Sequence, residues 1–198
     1  ALNFSKKNLS KYSNVEYLNY DVNDIPIADQ SIDFCYSLGV LHHIPNMSEA
    51  LKGINKKLKL GAPLLIYIYY SFDNKPLWFR FIWNISDILR KIISKLPFFL
   101  KSIICDIIAL TIYYPVSRIS KLLLKLNFNV KNIPLSFYAD QSIYVLRNDS
   151  LDRFGTKLEQ RLSKDQIRNL LINAGFSEID FSDSEPYWCA ISYKKRNI

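Results

Sequence analysis

The chain has 198 residues, 49% of them hydrophobic and 22% charged, and 26 Lys and Arg against 18 Asp and Glu give a net charge of +8. This composition is that of an ordinary globular domain and excludes both a disordered tail and a disulfide scaffold. Cys35, Cys105 and Cys189 lie far apart and form no CxxC pair, and the five glycines form neither GxGxxG nor a Walker-type loop, so no phosphate-cradling glycine loop lies within these residues.

The charge is uneven. Residues 1–72 carry seven basic and six acidic side chains, residues 73–131 ten and three, and residues 132–198 nine of each. Nearly all the excess therefore falls in one segment that is also rich in Ile, Leu, Phe and Trp. Such a segment suits an anionic membrane surface or an acidic ligand, and a solvated helix face is an equal alternative. No basic cluster interleaves with stacking aromatics as in a nucleic-acid module, so nucleic acid is not an expected partner. A spanning helix is not expected either: Lys101 and Asp106 interrupt the most apolar stretch, and the uncharged run after Asp106 stops at Arg118, short of about 20 residues.

In chain order, Ser5–Tyr12 reads as a short polar helix capped by Ser5, and Val15–Tyr20 as a strand ending at Asp21. Ser31–Leu38 contains a buried-strand pattern. Ser48–Leu60 has helical periodicity through Ala50, Leu51, Ile54 and Leu58 and stops at Gly61. Pro63–Tyr70 is a continuous apolar run of the kind covered on both faces in a parallel sheet, so strand, helix and strand make a βαβ unit. From Pro76 to Phe128 the pattern is helical, with Pro97 and Pro115 separating helices. Leu135–Arg147 is mixed, with a strand pattern at Ser142–Leu146. Ser163–Ala174 is a helix with Ser163 as cap and Gly175 as stop, and Phe176–Phe181 and Trp188–Lys194 alternate as two final strands.

Several stretches carry a resemblance. Tyr20 to Phe34 (YDVNDIPIADQSIDF) is similar to a D-x-x-x-L-P-F-x-x-x-x-F-D segment, Ser37 to Pro45 (SLGVLHHIP) to a strand end S-x-x-V-L-H-H-I, Ala50 to Ile66 to a helix–turn–strand A-L-x-E-I-x-R-V-L-K-P-G-G-x-L-L-I, and Ser163–Phe176 (SKDQIRNLLINAGF) to a C-terminal S-x-x-E-I-x-x-L-L-x-x-A-G-F helix. In this order and at these spacings the chain resembles the class I S-adenosylmethionine-dependent methyltransferases of the type 11 kind over residues 1–70 and 160–194. The resemblance implies an α/β, Rossmann-like, doubly wound and mostly parallel sheet. It divides the chain into a partial core over 1–72, a mostly helical lid or substrate insertion over 73–150, and the last helix and strands over 151–198. Ala1–Ser5 resembles the end of the family's second strand, with Asn3 where an acid usually holds the cofactor's ribose. The family's first strand and glycine-rich loop then fall before Ala1, and the expectation is a truncated chain that binds cofactor poorly by itself.

The resemblance also implies roles. Asp21 accepts from the adenine amino group, Val22 lines the adenine, and Ser37, Leu38 and Gly39 form the strand edge beside the sulfonium, making S-adenosyl-L-methionine the expected cofactor. Turn formation by Asp21 and a plain strand-to-loop role for Gly39 are the alternatives. His43 and His42 are candidate proton acceptors, His43 foremost, with packing as the alternative. Adjacent histidines without a Cys or carboxylate cluster do not make a metal site. The run Asn148 to Arg161 is similar to the D-x-L-D-R-F-G-T-x-L-E-x-R-F stretch of a subgroup associated with sugar and surface-polysaccharide pathways. Asp152, Arg153, Glu159 and Arg161 are therefore candidates for binding a polar acceptor or its phosphate, against a salt-bridge network as the alternative. Tyr187 and Trp188 are candidates for an aromatic wall, against core packing. The expected function is methyl transfer to O or N of a small molecule or saccharide, lipid-linked acceptors included. The alternative is a non-catalytic methyltransferase-like binding or partner subunit. The expected location is the cytoplasm, with peripheral membrane contact through 73–131.

Overall fold

The computed structural model describes residues 2–184 and 186–196. The chain forms two compact units, Ala1–Tyr70 with Gln160–Ile198, and Ser71–Glu159. The second unit thus extends past residue 150 to take in the polar run up to Glu159.

In the first unit, α1 (Leu2–Asn8) is followed by a long irregular stretch to β1 (Cys35–Leu38), then α2 (Met47–Lys57) and β2 (Pro63–Tyr67). β1 and β2 pair in parallel, as the βαβ reading expects. Two β-rich segments near the C-terminus, β3 (Phe176–Phe181) and β4 (Cys189–Lys194), complete a four-stranded sheet in the order β1-β2-β4-β3, with both β2–β4 and β4–β3 antiparallel. The sheet is therefore Rossmann-like in its β1–α2–β2 unit, with an antiparallel pair on its far side. β2 is its interior strand. Leu64, Ile66 and Ile68 are fully buried and pack with Leu51 and Ile54 of α2, while the opposite face of the strand is half-covered rather than sealed.

Local chemistry sets the ends of these elements. Asn46 caps α2 by accepting from Glu49 N, and Ser163 and Gln166 form a reciprocal capping box. That box opens a helix at Lys164–Asn173, and Gly175 follows it at φ +92°, a left-handed conformation that glycine adopts without strain. The N-terminal expectations are corrected. Ala1 lies outside the described residues, and Leu2–Asn8 is a helix rather than a strand end, starting three residues before Ser5. Val15–Tyr20 is irregular. A strand needs a neighbour to take its backbone groups, and no described strand pairs with either segment, whereas a helix satisfies its own.

The second unit is helical. Its elements are α3 (Leu77–Ile93), α4 (Phe98–Ile108), α5 (Tyr114–Lys125) and α6 (Ile143–Gly155), which makes the helix of the first unit at Lys164–Asn173 α7. Ser142 does not begin a strand: its side chain accepts from Val145 N and caps α6. Pro97 starts α4 as expected, but Pro115 does not separate helices. A π turn at Ala109–Tyr113 widens the backbone just ahead of it and absorbs the proline, so helix runs unbroken from Phe98 to Lys125. At 28 residues, with mean hydropathy 1.6 over its most apolar window, this helix is long and apolar enough to cross a membrane by length and composition. That corrects the expectation drawn from the uncharged run alone. The two charges in its first half find partners: Lys101 donates to Gly155 O at 3.0 Å, and Arg147 of α6 donates twice to Asp106, at 2.8 and 2.6 Å.

α3 and α4 both pack on α6 around Ile93, Cys105, Tyr113, Leu146 and Phe154. Beside this core lies a buried ionic network. Asp87 accepts from Arg90 Nε at 2.8 Å and pairs with Lys91 at 3.0 Å. Arg90 Nη1 donates to the carbonyls of Thr156 and Lys157, and Arg153 pairs with Glu159 at 2.8 Å while lying over the Trp83 ring. The Glu159 side chain is 1% exposed and that of Arg90 5%. Burial pushes the Asp87 carboxyl up, but the hydrogen bonds from Arg90 and Lys91 outweigh it and hold the group below the usual carboxylate value.

Two stability predictions follow from this packing. Ile66→Ala should cost about 3 kcal/mol in urea unfolding, and Ile172→Ala on the exposed face of α7 less than about 0.5 kcal/mol. Asp87→Asn, which strands Arg90, should cost about 3 kcal/mol at neutral pH. Because the folded carboxyl titrates below its unfolded value of 3.8, its stabilisation is complete above that value and is lost as pH falls through the folded one. Wild type and Asp87→Asn should therefore converge in acid when unfolding is followed by tryptophan fluorescence.

Candidate functional site

The carboxyl end of β1 and the loop after it form the candidate site. Ser37 and Leu38 pair with Ile66 and Tyr67 of β2, and Gly39 N continues the ladder to Tyr67 O at 3.0 Å. Gly39 then turns at φ +70°, and a Cβ built there would meet nothing within 4 Å. Glycine is thus required by backbone conformation, and the space above it is open to a ligand. The chain next makes a 3-10 turn, Leu41–His43, which carries both histidines.

The two imidazoles differ sharply. His42 is fully buried and stacks on Tyr69 at 3.7 Å between centroids. Its Nδ1 accepts a long bond from Tyr69 N at 3.5 Å, and its buried Nε2 has no hydrogen-bond partner among the described residues. Burial, then the neighbouring His43 and Arg161, drop its pKa to about 3, so the ring is neutral at physiological pH and a weak proton acceptor. His43 is only half-buried, with its ring 4.1 Å from that of His42 and edge-on to Tyr69 at 6.1 Å.

A segment far away in sequence completes this corner. Gln160 N donates to His42 O at 3.0 Å, and its side-chain amide to Ile44 O at 2.6 Å. The adjacent Arg161 lies over the Tyr69 ring at 4.8 Å and donates to Tyr70 O. His43, Tyr69 and Arg161 therefore meet at the end of β2. Sequence reasoning singled out His43 and Arg161 but missed Tyr69. The signal was present: with Leu64, Ile66 and Ile68 inward, period-two alternation puts Tyr67 and Tyr69 on the other face.

The remaining candidates are dispersed. Asp21 is exposed, and its Oδ1 accepts from both Asn23 N at 2.8 Å and Asn23 Nδ2 at 2.7 Å, so the residue builds a turn while its second oxygen carries no hydrogen bond among the described residues. Val22 packs against the core. Asn3 sits on the exposed side of α1 and not at a strand end. Arg153 and Glu159 belong to the buried network of the helical unit, so their polar atoms are committed to holding that unit together. Asp152 is exposed and lines a shallow groove of the same unit with Lys101, Asn148 and Thr156. Tyr187 and Trp188, 5% and 9% exposed, pack in the core of the first unit around Tyr70 and present no open ring face. Among the described residues no three His, Cys, Asp or Glu stand close enough to hold a metal ion.

Comparison with known proteins agrees with this architecture. The methyltransferase domain family model matches residues 1–66, the stretch that holds β1, the histidine turn and most of β2. No curated protein sequence matches the chain. Among solved structures it is similar to a protein of Bacillus halodurans C-125 classed as a methyltransferase (14% identity, TM-score 0.50, covering 90% of this chain and 49% of that one). It is also similar to the CurJ carbon methyltransferase (12%, 0.50, 98% and 39%) and to a protein of Nostoc punctiforme classed as an O-methyltransferase (12%, 0.50, 98% and 42%). The chain thus spans about half, or less, of the length of these structures, and identities this low speak for the fold alone. The methyltransferase family match thus covers the first third of the chain, and the fold over nearly all of its length is one shared with class I methyltransferases.

Proposed function

We propose that this chain serves methyl transfer from S-adenosylmethionine to an oxygen or nitrogen of a small-molecule or saccharide-type acceptor, lipid-linked acceptors included. The observation that carries the reading is the open turn at Gly39, which lies within the matched residues 1–66 and four residues ahead of the half-buried His43. The residues present fit part of the cofactor. The second carboxylate oxygen of Asp21 is able to accept from an adenine amino group, Val22 offers an apolar wall, and the Ser37–Gly39 backbone leaves room beside the sulfur. When bound, S-adenosylmethionine supplies an already activated methyl group, so the protein's main task is alignment. His43 takes the proton from the attacking hydroxyl or amine. His42, buried and neutral, fixes the turn that aims His43, and Arg161 with Tyr69 forms the polar and aromatic border where an acceptor is held. Three unpaired cysteines suit work in a reducing cytoplasm.

A second reading, a non-catalytic methyltransferase-like subunit, draws on Asn3, which lies on a surface helix and not at the strand end where the resemblance puts the ribose contact. Two measurements on the full-length protein that contains residues 1–198 separate these readings. In calorimetric titration with S-adenosylmethionine, Asp21→Ala and Gly39→Val should each weaken binding about tenfold, since one removes a cofactor bond and the other strains the turn. Absence of any binding by the parent protein would overturn the methyltransferase reading. In turnover with labelled methyl donor, His43→Gln should lower kcat about a hundredfold with cofactor affinity unchanged. Cofactor binding without turnover toward hydroxyl and amine acceptors would favour the subunit reading.

A further inference from the structure

α3 has a surface that its own unit leaves uncovered. Leu77, Trp78, Phe81, Ile85, Ile88 and Ile92 are all exposed, Leu77 at 79% and Phe81 at 65%. At about 100° per residue they fall within one arc of roughly 100° around the helix axis. The opposite side holds the buried Arg90 and Ile93 and faces the unit's interior. On one margin of the arc stand Arg80 and Lys91, both exposed, and Lys95 follows the helix end. Arg80 and Lys95 form no ion pair among the described residues, and Asp87, the only acid of the helix, is turned inward and neutralised by Arg90 and Lys91. A monomer seldom leaves so continuous an apolar strip facing water, because each side chain exposed there forgoes the transfer free energy of burial.

We propose that this helix docks the protein on an anionic lipid bilayer, lying in the plane of the interface with its apolar arc at the boundary between headgroups and acyl chains and its basic margin on the headgroups. Charge selects this occupant. A second copy seated on the arc would bring the unpaired Arg80 and Lys95 against their equivalents, whereas anionic headgroups complement them. Geometry selects lying over spanning. α3 is 17 residues long and carries the ionic Asp87–Arg90 pair on its inner side. The longer Phe98–Lys125 helix is packed along α6, which would take Arg147, Asp149 and Asp152 into the hydrocarbon with it. The proposal does not depend on methyl transfer, and its test uses no cofactor.

The test is flotation of the protein with vesicles of phosphatidylcholine alone or mixed equally with phosphatidylglycerol, alongside quenching of tryptophan emission by brominated lipid. Binding should require the anionic lipid and weaken with salt, and quenching should fall in Trp78→Phe. The double variant Phe81→Glu/Ile88→Glu, which changes exposed positions only, should partition at least about tenfold less, while Ile172→Glu on α7 should bind as wild type does. Equal and negligible flotation with both vesicles, or binding undiminished in the double variant, would overturn the proposal. So would self-association abolished by the double variant in a protein that ignores vesicles. Should the double variant fail to fold, unquenched Trp78 emission in the bound wild type would still overturn it.

Discussion

The structure of the first unit depends on β2. This strand is paired on both edges, in parallel to β1 and antiparallel to β4, and one of its faces is sealed by α2 and the core around it. An interior strand with Leu64 and Ile66 at zero exposure, continued by the equally buried Ile68 just past its end, has one allowed register, because a slip of one residue would turn those side chains out of the core. That register then sets the site. Tyr67 O receives Gly39 N and fixes the turn at the end of β1. Tyr69 meets His42 through both its backbone and its ring. Just beyond the strand, Tyr70 bridges to Leu162 and brings Gln160 and Arg161 to the histidine turn.

The helical unit is organised on a different principle. Its apolar core is small, and charged side chains share the work of holding α3 and α6 in place. Arg90 and Arg153 reach inward to carbonyls, carboxylates and an indole, and each would be costly to bury if its partners were absent. Part of the ionic chemistry is internal, while many apolar side chains of α3 and of the long Phe98–Lys125 helix, outside the Ile93–Cys105–Tyr113 core, remain at the surface.

Much of the architecture was legible in the residues. The α2 periodicity with its stop at Gly61, the apolar run of β2, and the Ser163–Gln166 box with Gly175 are local signals, since each rests on hydrogen bonds or periodicities spanning a few residues. The failures share a cause too. Val15–Tyr20 has a strand's composition, but a strand exists only where a neighbour pairs with it. Ser142–Leu146 alternates like a strand, but the cap at Ser142 commits it to a helix. Pro115 reads as a breaker until a π turn, invisible in composition, makes room for it.

The site shows the same division. Residue type and short-range spacing were enough to show α2, β2, α7, the glycine at the end of β1, the paired histidines and the polar run from Asn148 to Arg161. What the polar groups do follows from the folded arrangement. Arg153 and Glu159 turn inward to meet each other beside Ser86, Asp87 and Trp83, while Arg161, two residues past Glu159, belongs to the other unit and lies against Tyr69. Likewise, two adjacent histidines with identical chemistry become one sealed neutral ring and one half-exposed ring. The physical reason is that burial and ionic pairing are set by partners distant in sequence, and a residue's neighbours along the chain do not encode which of its polar atoms will lose contact with water.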